Sequence, residues 1–172
     1  MRYFSIIVLI IVGSFMFSGC SSEVMSKSEQ QKSFKKFLTK IDQKEQPVND
    51  AAKNFEEIYK KAMNNQADIN DVYGAANALN KQYEQLHLDF GGMSSPDGFP
   101  DDIANLLNEA TQDLSTAYYM RTKGMDSLLK YFDDQKPSEM QSYKDNMNEA
   151  QKFMNDATKN LLDAQIKVGI KQ

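Results

Sequence analysis

The sequence predicts an all-α protein, an antiparallel up-down four-helix bundle, from three observations. Apolar residues recur at alternating spacings of three and four in four separate stretches, the signature of one buried helix face. Trp is absent, Pro and Gly number only 4 and 8 in 172 residues, and the abundant Lys, Asn, Gln, Ala and Met favour helix over sheet. The last two stretches are joined by a few residues only, which lays successive helices antiparallel. The length allows one domain with a real core and is too short for two of ordinary size.

The first stretch begins at Ser28. Phe34, Ile41, Val48, Phe55 and Ala62 fall seven apart, with Phe37, Leu38, Ala51, Ala52, Ile58 and Tyr59 beside them. Pro47 keeps this register but lacks an amide and crowds the preceding turn, so one helix kinked near Gln43 to Gln46 is expected. Asn64, Asn65 and Gln66 should end it. Asp68 can then cap a second helix by accepting from a free backbone amide. Ile69, Val72, Ala76, Leu79, Tyr83 and Leu86 form the seam of that helix, which should end near Leu88 and be the shortest.

Asp89 to Pro100 breaks the pattern. Gly91, Gly92, Pro96, Gly98 and Pro100 preclude a continuous helix, and Asp97-Gly98 is a turn signal. Phe90, Met93 and Phe99 are apolar residues in this loop. Either they fold back to plug one end of the bundle, or they form a partner-binding tip, since loops often carry binding residues.

Pro100 suits the first turn of the third helix, and Asp101 and Asp102 favour its positive end. Ile103, Leu107, Ala110, Leu114, Ala117, Leu128 and Tyr131 mark the buried seam, where Arg121 and Gly124 are unexpected. Tyr118 and Tyr119 cannot both face inward. Asp133 to Lys136 should connect to a fourth helix opened by Pro137. There Met140, Met147, Met154, Leu161 and Val168 alternate with Tyr143, Ala150, Ala157 and Ala164 at heptad spacing. Alanine lets a facing backbone approach, and methionine fills irregular gaps.

The N-terminus differs in composition. Met1-Arg2-Tyr3 is a short positive start, Ile6 to Phe17 is apolar apart from Gly13 and Ser14, and Phe17-Ser18-Gly19-Cys20 closes the run. A dozen apolar residues suit a signal-peptide core better than a membrane span. The stretch resembles the lipobox of bacterial lipoproteins, with Phe17 where that family usually carries Leu. The resemblance covers the first twenty residues or so. It implies removal of residues 1–19 between Gly19 and Cys20, and lipid on the Cys20 thiol. The same residues also allow an ordinary signal peptide or an uncleaved anchor, but the chain's single Cys stands where the lipobox needs it. Residues 20–27 then form the lipidated Cys and a flexible polar tether, and 28–172 the bundle domain. Two or more acyl chains would hold it firmly, on the extracytoplasmic face of the cell membrane.

Charge and composition exclude several functions. A net charge of −4 argues against nucleic-acid binding, which needs a basic face. One Cys permits neither an internal disulfide nor a thiolate cluster. Glu84 and His87 have the Glu-x-x-His spacing of di-iron bundles, but His87 is the only histidine and a second copy cannot exist. Glu56-Glu57, Asp101-Asp102 and Asp133-Asp134 point apart as helical neighbours. No catalytic set, metal site or cofactor is therefore expected. Arg121 should pair with an acid, snorkel outward, or anchor an anion. The expected function is a non-catalytic binding or scaffolding module of the cell envelope with a protein partner. The alternative is a carrier or sensor holding a small apolar ligand between the helices. The heptads also allow self-association.

Overall fold

A computed structural model describes residues 24–170 of the chain. The expected signal segment, the expected cleavage residue Gly19, the expected lipidation site Cys20 and the first residues of the expected tether lie outside the described residues. Four helices follow in order: α1 Lys27–Met63, α2 Ile69–Gly91, α3 Asp101–Asp134 and α4 Pro137–Lys167. They pack as an antiparallel four-helix bundle. α3 and α4 pack most extensively, followed by α2 on α3 and α1 on α2.

Local chemistry sets the helix ends. Ser26 caps α1 in a reciprocal box with Glu29, whose carboxylate accepts from the Ser26 N–H at 2.9 Å. Asp68 caps α2 in the same way with Asp71, as the sequence suggests. α1 runs unbroken through Pro47. Gln135 ends α3 in the left-handed region at φ 52°.

Three boundaries differ from the sequence expectation. The domain starts before Ser28. Met25 is half-buried against the core, and its N–H donates to Gly98 O at 2.8 Å, so this part of the expected tether is docked. α2 extends past Leu88 to Gly91 because Phe90 gains burial in the core, 1% exposed, and Asp89 accepts from Gln85 one turn back. Asp133 and Asp134 belong to α3, leaving Gln135 and Lys136 as the connection.

Helix length explains the loop. At 1.5 Å per residue α1 is about 55 Å long and α2 about 35 Å. α2 therefore cannot cover the first turns of α1, where Phe34 and Phe37 are 0% and 2% exposed. The segment from Gly92 to Pro100 covers them instead, bringing Phe99 and Met93 onto that core. Thr111 in α3 donates to Met93 O at 3.1 Å, and Asn108 accepts from the Ser95 N–H at 2.7 Å. Phe90 and Phe99 are buried at the base of the bundle, with Met93 half-buried beside them, the arrangement of a plug.

The α3–α4 contact is close because its residues are small. Ala150, Ala157 and Ala164 are the buried residues of α4, and α3 contributes buried Gly124. A Cβ on Gly124 would lie 3.2 Å from Met147 Sδ and 3.5 Å from Tyr143 O, so α4 occupies the space that a side chain would need.

Phe90→Ala should destabilise the fold by about 3–5 kcal/mol through lost burial and a residual cavity. Denaturant unfolding of the two proteins checks this. A loss below about 1 kcal/mol would mean the ring is not a core residue.

Candidate functional site

Arg121 lies in the middle of the bundle. Its guanidinium carbon is 5.1 Å from the Tyr118 ring centroid and 5.5 Å from that of Tyr83. Among the described residues it makes no ion pair. Its charge is met by two aromatic faces, in place of the acid pair that was one of the alternatives the sequence allowed. Tyr118 stacks on Phe90 at 5.7 Å, and its hydroxyl donates to Glu45 Oε1 at 2.6 Å. Burial pushes the Tyr118 phenol up, the Glu45 bond and charge add to this, and Arg121 opposes it. Tyr83 is raised by burial and likewise opposed by Arg121. Arg121 thus rests on a core cluster with its charge facing protein rings. Tyr119, by contrast, is 41% exposed.

His87 ties α2 to α3. Ser115 Oγ donates to His87 O at 2.8 Å, and His87 Nδ1 lies 2.9 Å from that Oγ and 3.1 Å from Ser115 O. A nearby carbonyl places the proton on Nδ1. Among the described residues no group of three or more His, Cys, Asp and Glu side chains is placed to hold a metal ion.

At the base, Lys44 Nζ and Asp89 Oδ2 are 2.9 Å apart. Hydrogen bonds from Lys44 and then Gln85 hold the Asp89 carboxyl below its ordinary range. This pair closes one side of a hollow of about 460 Å³ between α1 and the loop, lined also by Phe37, Lys40, Met93 and Pro96.

The opposite end is open. Val48 is the last buried residue of α1; beyond it Phe55 and Ile58 are half-buried, while Tyr59 and Met63 are 43% and 69% exposed. Phe55, Glu56 and Tyr59 of α1, Leu128 of α3, and Met140 and Tyr143 of α4 enclose an apolar groove of about 260 Å³. The Phe55 and Tyr59 rings lie 6.0 Å apart. Burial, then Tyr59, pushes the Tyr143 phenol up. Across the α1–α2 turn, Ile69 is 57% exposed. Sequence reasoning assigned Phe55, Tyr59, Met140 and Tyr143 to the core. At the same end the small and polar residues Asn70, Asp71, Gly74, Ala75 and Ala78 of α2 leave a second hollow beside Asn54 and Ile58. That run of small residues was the available signal.

Of the residues singled out from sequence, the structure brings Phe90, Phe99 and Met93 onto one core and places Arg121 over Tyr118, whose other neighbour is the Phe90 ring. Comparison of the chain with protein-family models, curated proteins and solved structures finds no match.

The Lys44–Asp89 pair gives a pH-dependent prediction. A carboxyl whose folded pKa is depressed adds stability above the unfolded value, about 3.9, and loses it as pH falls through the folded value. The pair is about a third exposed, so its worth is below about 1 kcal/mol. Asp89→Asn should therefore be less stable than wild type at pH 7 by up to that amount, and the gap should narrow by pH 3. Urea unfolding at both pH values checks it. An equal gap would assign the effect to shape instead of charge.

Proposed function

We propose that this protein is a non-catalytic binding module, held by lipid on Cys20 at the extracytoplasmic face of a bacterial cell membrane. In this reading the open end of the bundle receives a protein partner. The observation that carries it is the polarity of the domain. The described chain starts at the closed base, where Met25 is bonded to Gly98 O, and the apolar groove formed by Phe55, Tyr59, Met140 and Tyr143 lies at the other end. A tethered domain displays that far end to other envelope proteins. Half-buried aromatic and methionine side chains around a groove, with Tyr59 exposed beside them, suit anchor residues from a partner.

The carrier reading has less support. The alanines of α4 that could leave room for a ligand are themselves at most 1% exposed. The groove, at about 260 Å³, falls below the usual 300–1,000 Å³ of small-molecule sites.

Two measurements test the proposal. Cys20→Ala should leave unprocessed precursor and move part of the protein out of the membrane fraction. Normal cleavage with full membrane retention would refute lipidation at Cys20. Separately, a photocrosslinking residue at Tyr59 in intact cells should give a discrete protein adduct that Phe55→Asp reduces at least tenfold. Since Phe55 is only half-buried, this variant should keep its helical spectrum. An adduct unchanged by Phe55→Asp would place the partner elsewhere.

A further inference from the structure

The first half of α1 carries Lys27, Lys32, Lys35, Lys36, Lys40 and Lys44 in a chain of net charge −4. Two of these are already engaged: Lys44 with Asp89, and Lys27, whose Nζ donates to Lys167 O at 2.5 Å. Lys32, Lys35, Lys36 and Lys40 are exposed, and among the described residues none has a carboxylate within 4 Å. Helical spacing puts them on one face, opposite buried Phe34, Phe37 and Ile41. They surround a shallow hollow of about 410 Å³ with Thr39 and Gln43. Lys32, Lys36 and Lys40 follow at intervals of four, where like charges repel. A multivalent anionic surface relieves that repulsion.

We infer that this face docks on anionic lipid headgroups and lays the base of α1 toward the membrane. The inference rests on the reading of Cys20 as a lipid anchor. Position selects lipid over other polyanions. Cys20 is five residues from Met25, which is bonded to Gly98 O, so the docked start of the domain lies within about 17 Å of the attachment point. The lysine face begins about 10 Å further along α1 by helix rise. A bilayer that holds Cys20 is therefore within reach of all four ammonium groups once α1 tilts. Each basic residue close to an anionic surface raises partitioning about fivefold, and a polybasic patch is an effective second signal beside acyl chains. Docking by this face would leave the distal groove directed away from the lipid.

The test uses the full chain, expressed in bacteria, extracted from membranes with detergent and reconstituted into nanodiscs. One set of discs is pure phosphatidylcholine; the other contains phosphatidylglycerol. Amine acylation read by mass spectrometry reports each lysine, with Lys60, Lys61 and Lys152 on the same molecule as internal references. The expected result is that Lys32, Lys35, Lys36 and Lys40 react at least fivefold more slowly, relative to the references, in phosphatidylglycerol discs than in phosphatidylcholine discs. The protection should disappear in 1 M salt, where charges are screened beyond about 3 Å. Equal reactivity in both discs, from a chain that is disc-bound, would overturn lipid docking while leaving the anchor intact. Recovery of the chain from cells in the soluble fraction without detergent would overturn the anchor, and the docking with it.

Discussion

The shortness of α2 is the constraint on which the rest of the structure depends. With 23 residues beside a partner of 37, α2 leaves the first turns of α1 with an apolar face and no helix to cover it. Burying rings such as Phe34 and Phe37 is worth about 1.5–3 kcal/mol each, so the chain after Gly91 is drawn over them. That explains why a loop containing Gly92, Pro96, Gly98 and Pro100 is ordered around Phe99 and Met93. It also explains why Met25, at the start of the domain, hydrogen-bonds to Gly98. The base is thus closed by the loop and by the start of the domain together.

Side-chain size adds a second source of asymmetry to the bundle. At the base, α1 buries Phe34, Phe37, Ile41 and Val48. At the far end, α2 offers Gly74, Ala75 and Ala78, which are too small to fill the space beside α1. α3 and α4 stay closely joined through Gly124 and the alanines, so the looseness falls on α1. The groove bounded by Phe55, Tyr59, Leu128, Met140 and Tyr143 is the consequence. The tight base follows from the length of α2, and the looser far end from small side chains on it.

Much of the fold was legible in the sequence because helix periodicity, caps and Pro positions act locally. Asp68 caps α2, Pro137 opens α4, and the heptad alanines of α4 are buried. The boundary at Leu88 was misjudged because Gly91 and Gly92 signal a break, whereas burial of Phe90 carries the helix through to Gly91. The fate of Phe90, Met93 and Phe99 was open because it depends on how much of α1 the second helix leaves bare. Arg121 was recognisable as anomalous, but its resolution needed a partner from another helix. Tyr118, three residues earlier on α3, was a foreseeable neighbour; Tyr83 on α2 follows only from register. The distal groove left only a faint trace in the sequence, the run of small residues in α2, since a heptad position states which face a residue shares and not how closely the opposite helix approaches.

Native-state hydrogen exchange along α1 tests this account most directly. Amides from Phe34 to Ile41 should exchange only through global unfolding, and those from Phe55 to Met63 through smaller openings, at least a hundredfold faster after correction for intrinsic rates. Uniform protection along the whole helix would contradict a closed base and an open far end.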